Sequence, residues 1–185
     1  MKELKRFCSF LIVAILFTSC TKTTDFYTIQ GEAQGSTYSI KYISTEEKVT
    51  KNQIDSLLTA FDLSLSTYRP DSKISKINAG DSTVVVDEFF TETFQLSNQI
   101  YKETNGLFDP TIGVLVNAYG FGPNKKQENL SQKQVDSLLQ FVGFDKIKLN
   151  ENKTITKKHQ ETFIDFNAIA QGYSVDVVVN YLKSK

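Results

Sequence analysis

The run Ile164–Asp176, IDFNAIAQGYSVD, sets Asp165 inside an apolar, strand-like stretch and follows it with Asn167 and several very small residues. A carboxylate in such company either finds a partner or shifts its pKa, because an unpaired ion is costly in a low-dielectric interior. Asn167 is placed to cap a helix, and the free N–H groups of a helix start favour phosphate. Ala168, Ala170 and Gly172 leave room for a ligand or metal to reach the backbone. Two readings stay open here: an anion site in which the carboxylate reads a sugar or base, and small residues that serve close helix packing. Asp109 lies between Phe108 and Pro110 in NGLFDPTIG, where proline biases it toward an extended conformation. On its own that pattern is an Asp-Pro turn. Tyr68 and Arg69, in STYRPDS, offer an aromatic platform beside a cation, or else packing and surface charge.

Other chemistries are excluded by inspection. The chain has no G-x-G-x-x-G, no G-x-x-x-x-G-K-[ST], no H-E-x-x-H and no G-x-S-x-G. His159 is the single histidine and stands in TKKHQE, a charged stretch beside a turn, so it reads as a solvated surface residue. Lys plus Arg and Asp plus Glu each number 21, and the zero net charge gives no support to a nucleic-acid footprint. With 185 residues, 14 Phe and 8 Tyr, the chain has material for one well-filled domain.

The elements that must position these residues follow from periodicity. Phe26–Gln30 and the alternating Tyr38, Ile40 and Tyr42 predict a hairpin across a turn at Gly31–Gly35. Ile54, Leu57, Leu58, Phe61 and Leu65 predict a helix over Lys51–Leu65, with Thr50 and Gln53 as a capping box. Pro70 marks a turn ahead of the apolar pair Ile74 and Ile77, and Val84–Val86 reads as a short strand. Asp87 caps a helix to about Thr104, stopped by Asn105 and Gly106. Ser131 and Gln134 start another, whose face of Val135, Leu138, Leu139 and Val142 runs to Gly143. Lys146–Leu149, Thr154–Lys157 and Glu161–Phe166 read as strands. A last helix begins at Asn167 or Ala168 and runs through Leu182 with its apolar face still developing, so the expectation is a chain cut short.

The first residues have another character. Lys2, Lys5 and Arg6 precede the apolar run Phe7–Phe17, which is too short to span a bilayer and gives way to Thr18, Ser19 and Cys20. This predicts an export signal over residues 1–19. LFTSC resembles a lipobox, with Cys20 as the lipidated first residue of the mature chain and residues 20–25 as a tether. The remaining cysteine, Cys8, lies within the signal, which leaves the mature chain no disulfide.

GEAQGSTYSI, STYRPDSKISKIN, GLFDPTIGVLVNAYGFG and IDFNAIAQGYSVD, in this order and spacing, resemble the successive motifs of the FAD:protein FMN transferase family, older name thiamine-biosynthesis lipoproteins. The resemblance implies an α+β fold, with mixed strands and helices in one T-fold-like domain over residues 26–185. It implies that FAD is split at its pyrophosphate and FMN attached through a phosphoester to a Thr or Ser of an acceptor protein, with Mg²⁺ and release of AMP. Typical acceptors are subunits of membrane redox complexes such as the sodium-translocating NADH:quinone reductase. An exported protein, lipid-anchored at the periplasmic face of the inner membrane, fits that picture.

Carried over residue by residue, Gln34 occupies an FAD-contacting place that is usually Met. Tyr68 matches an aromatic FAD contact, and Leu107, Phe108 and Asp109 match a contact segment. Asp165 matches an acid at the family's conserved turn, and Gln171 an FAD-contacting place that is often Lys, without its charge. Ala168 stands at a metal-ligand position, which an alanine fills only through its carbonyl oxygen. The family's other metal ligands, an Asp and a Thr in a D-x-x-x-T arrangement, belong to a C-terminal portion not contained in this sequence. Two alternatives remain at this level: Mg²⁺-dependent hydrolysis of FAD to FMN and AMP, and a non-catalytic, lipid-anchored flavin-binding protein.

Overall fold

The computed structural model describes residues 23–123 and 129–185. The expected signal segment and Cys20 lie outside the described residues. The chain folds into mixed strands and helices, beginning with an antiparallel hairpin, β1 (Asp25–Ala33) and β2 (Ser36–Ser44), in register from Asp25↔Ser44 to Ala33↔Ser36. Its turn is only Gln34 and Gly35, at φ 55° and 72°, the paired positive φ that matches the right-handed twist of two-residue hairpins. The turn is therefore tighter than the predicted Gly31–Gly35. Gly31 stays in the strand because the Tyr38 ring covers it: a Cβ there would lie 2.5 Å from the Tyr38 hydroxyl.

Helix α1 (Lys51–Leu65) has the predicted bounds and capping box, with the Thr50 N–H donating to Gln53 Oε1 at 2.9 Å. The stretch expected as a turn with an apolar pair is a short helix, α2 (Lys73–Asn78), whose start is capped by Ser72 Oγ accepting from the Ser75 N–H at 3.2 Å. Helix α3 (Glu88–Glu103) begins at Asp87, which accepts from the Phe90 N–H at 3.1 Å, and ends ahead of Asn105 and Gly106 in left-handed conformation. Helices α4 (Gly113–Ala118) and α5 (Gln132–Leu139), a 3-10 turn (Phe144–Lys146), the hairpin of β3 (Ile147–Leu149) with β4 (Ile155–Lys157), and α6 (Asn167–Lys183) complete the order.

Three expectations are corrected. Val84–Val86 makes no ladder; it is held by the Val86 N–H donating to the Lys153 carbonyl and by Lys73 Nζ donating to the Val85 carbonyl, each at 2.8 Å. Glu161–Phe166 is also not a strand, since its pairing reduces to a parallel bridge between Phe163 and Ile112 and a bond from the Asp165 N–H to the Pro110 carbonyl at 2.7 Å. Instead, Asn78 closes both backbone groups of Ile164, accepting from its N–H and donating to its carbonyl, each at 2.8 Å. A side-chain amide thus does for one residue what a neighbouring strand would do for several. Finally, α5 ends at Leu139 rather than at Gly143, and none of its residues is fully buried.

Two apolar clusters form the core. The larger gathers Phe61 and Leu65 of α1, Ile74 and Ile77 of α2, Phe90 and Phe94 of α3, Ile164, Phe166 and Ala170. The smaller joins Ile29 of β1, Val49, Ile54 and Leu58 of α1, and Val178 of α6. Helices α1 and α6 each contribute to both, so one end of each helix holds the hairpin and the other holds the body of the domain. The site develops where the two clusters meet.

Candidate functional site

Between the hairpin turn, the second half of α1, the α1–α2 loop and the first turns of α6 lies a cavity of about 690 Å³. Phe61, Leu65 and Ala170 supply apolar floor; Gln34, Asp62, Asn167 and Gln171 supply polar groups; Tyr68 and Arg69 stand at the rim. Each arrives by a local cause. Gln34 is carried in by the tight turn, and its Oε1 accepts from Ser174 Oγ of α6 at 3.1 Å, which ties the hairpin tip to that helix. Tyr68 follows the end of α1, is more than half exposed, and its hydroxyl donates to the Phe121 carbonyl at 3.3 Å. Arg69 forks onto Asp71, Nη2 to Oδ2 at 2.9 Å and Nε to Oδ1 at 3.2 Å. Gln171 faces this cavity and also a more apolar groove of about 430 Å³ between β2 and α6.

Of the predicted residues, Gln34, Tyr68 and Gln171 thus line one space, in company with Asn167. Asp165 and Ala168 stand beside it at the start of α6 without lining it, and Leu107, Phe108 and Asp109 belong to a neighbouring loop. That loop is joined to the Asp165 segment by the bridge and the Pro110 bond described above. Asp109 Oδ1 accepts from both the N–H (2.8 Å) and the hydroxyl (2.6 Å) of Thr111, an Asx turn as the sequence suggests. Thr111 Oγ1 in turn accepts the Gly143 N–H at 2.6 Å, which reaches across to the segment after α5. Leu107 is almost wholly exposed.

The partner of Asp165 is the helix that follows it. Its Oδ1 accepts the Asn167 N–H at 2.8 Å, so Asp165, not Asn167, is the side chain that satisfies the first turn of α6; Asn167 is itself the first helical residue. Burial pushes the Asp165 carboxyl above its usual range, and the bonds from Asn167 oppose that only in part. His159 is exposed and rests edge-on against Phe141.

Asp62 is the residue sequence reading passed over. It sits in the last turn of α1, where an acid ordinarily faces solvent, yet it is half-buried in the cavity wall. Burial raises its pKa, while hydrogen bonding from the Gln34 amide and the charge of Arg69 pull it back. The one available signal was position: Asp62 follows Phe61 on a helix whose apolar face is broad enough to carry it inward.

The described residues do not by themselves fit a Mg²⁺ site. Ala168 brings one backbone carbonyl, and among the described residues no three His, Cys, Asp or Glu side chains group as ligands, whereas Mg²⁺ demands near-octahedral oxygen coordination.

The fold and site are those of a mixed α+β domain with an amide-lined cavity at a helix start. Comparison with known proteins makes it specific. The model of the ApbE family matches residues 34–185, and the chain belongs to that family. It is 31% identical over 196 residues to the FAD:protein FMN transferase of Haemophilus influenzae, covering 99% of this chain and 56% of that protein. The FAD:protein FMN transferase of Vibrio cholerae is 32% identical over 186 residues, covering 92% of this chain and 53% of the relative. The chain therefore spans about half the length of the curated relatives it matches. Among solved structures, flavin transferase ApbE from Vibrio cholerae superposes with a TM-score of 0.78 at 29% identity, over 88% of this chain and 54% of that one. The apo form of Pseudomonas stutzeri flavinyl transferase ApbE gives 0.79 at 28%, over 87% and 52%. The fold expected from the sequence is the fold observed.

Proposed function

We propose that the protein containing this chain transfers FMN from FAD to a Thr or Ser hydroxyl of an acceptor protein, releasing AMP. The observation that carries the proposal is that Gln34, Tyr68 and Gln171, from three separate motifs, line one cavity at the start of α6 in a chain of this family. Phosphoryl transfer consists mostly of positioning and charge neutralisation, and a cavity with an apolar floor and amide rim is suited to hold a flavin nucleotide in place. Asp165, Leu107, Phe108 and Asp109 complete the FAD contacts in this reading. In this reading the reaction depends on Mg²⁺, and the Ala168 carbonyl would be one of its ligands.

The same reading makes the protein exported and lipid-anchored at Cys20, at the periplasmic face of the inner membrane, where subunits of redox complexes such as the sodium-translocating NADH:quinone reductase serve as acceptors. No described helix is long and apolar enough to cross a membrane. The test is to incubate the protein with FAD, Mg²⁺ and an acceptor, then look for flavin fluorescence on the acceptor band of a denaturing gel. Covalent fluorescence that falls strongly with Asp165→Ala is the expected result. Free FMN and AMP without labelled acceptor would replace transfer by hydrolysis, and bound FAD with no AMP would replace it by flavin storage.

A further inference from the structure

Asp62 differs from the other acids near the site in what holds it. Asp109 and Asp165 are each bonded to a backbone N–H two residues on. Asp62 has no such bond among the described residues; its neighbours are the Gln34 amide and Arg69, whose guanidinium is already forked onto Asp71. Asp62 stands in the cavity wall beside Phe61 and Leu65, and among the described residues no other acid lines that space. A phosphate brought beside it would meet like charge and lose its solvation. A flat heteroaromatic ring would bury its faces on the apolar floor and present an N–H to the carboxylate, a charge-assisted hydrogen bond.

We propose that Asp62 is a ring-reading residue: its carboxylate accepts a hydrogen bond from a ring or exocyclic N–H of the bound nucleotide. The base end of the dinucleotide then occupies the part of this cavity beside Asp62, and its pyrophosphate lies away from that carboxylate. This rests on the proposed flavin nucleotide specificity and assigns a part of the ligand to a part of the cavity. Both ends of FAD carry such a donor, the imide N–H of the isoalloxazine and the amino group of adenine, so the experiment separates them.

Binding of riboflavin, adenosine, FAD and inorganic pyrophosphate to the full chain is measured by calorimetry, for the unaltered protein, Asp62→Asn and Asp62→Ala, with thermal melts to confirm folding. The expected result is that one nucleoside, riboflavin or adenosine, binds about tenfold or more weakly to both variants, while pyrophosphate binds no worse. Loss for riboflavin places the flavin in the cavity; loss for adenosine places the adenine there. Unchanged binding of both nucleosides to folded variants overturns the assignment, as does weaker pyrophosphate binding with nucleosides unaffected. The transferase reading stands or falls separately, since an unlabelled acceptor with an intact Asp62 effect removes transfer and leaves the ring site in place.

Discussion

Two regions of the domain hold carboxylates in opposite ways. At the junction of the Leu107–Ile112 loop with the segment leading into α6, Asp109 and Asp165 are each bonded to their own chain, and the backbone of one loop bonds the other. In the neighbouring cavity, Asp62 faces side chains only, on a helix that does not need it as a cap. The first arrangement shapes backbone; the second leaves a charged oxygen available. An acid that is conspicuous in the sequence because it sits beside Pro or ahead of a helix has therefore already committed one oxygen to folding.

The comparison breaks most severely if the junction is forced apart. Gly113 begins α4 where a Cβ would lie 2.5 Å from the Phe163 ring and 2.8 Å from its carbonyl oxygen. Gly113→Ala is expected to cost about 1–3 kcal/mol, read as a lower urea midpoint at unchanged slope. A smaller loss, about 1 kcal/mol, is expected from Asp109→Ala, which frees the Thr111 N–H and its link to Gly143. A midpoint equal to that of the unaltered protein would show that the Asx turn forms without its acid.

The smallest effect has the opposite sign. Burial raises the Asp62 pKa, so the folded state holds that proton more tightly than the unfolded state does. The resulting stability is fully present below the unfolded pKa, about 4, and is lost as pH rises through the higher folded value. Asp62→Asn, which carries no titrating proton, is expected to melt slightly above the unaltered protein near about pH 7 and together with it near about pH 3. The variant expected to bind a nucleoside more weakly is thus expected to be slightly more stable. A melting point that falls at neutral pH would mean that Asp62 serves the fold rather than a ligand.

Much of the fold was legible. Thr50 with Gln53, Asp87, and Asn105 with Gly106 marked helix ends correctly because capping is settled within a few residues. Two of the misses share one cause. Val84–Val86 and Glu161–Phe166 have strand composition, but a strand exists only through its partner, and here the partners are one carbonyl of Lys153 and the side chain of Asn78. Asn78 gives no sign in the sequence that it will substitute for a strand 86 residues away. Of the site residues that the resemblance implied, Gln34, Tyr68 and Gln171 line one cavity and Asp165, Ala168 and Leu107–Asp109 do not, while Asp62 gave little sign in the sequence that it would stand in the cavity wall.

The clasp between Asn78 and Ile164 also sets a timetable. Its two bonds span 86 residues, and the bond from Lys157 Nζ to the Asn78 carbonyl (3.2 Å) spans 79. Loop closure over such a span is an entropic cost that local helices never meet, and contacts of this separation slow folding. Helix α2 and its neighbours can form while the chain is still emerging, but the segment that aims Asp165 and starts α6 has nowhere to dock until nearly all of this sequence has been made. The clasp is thus absent from any nascent chain too short to contain both Asn78 and Ile164.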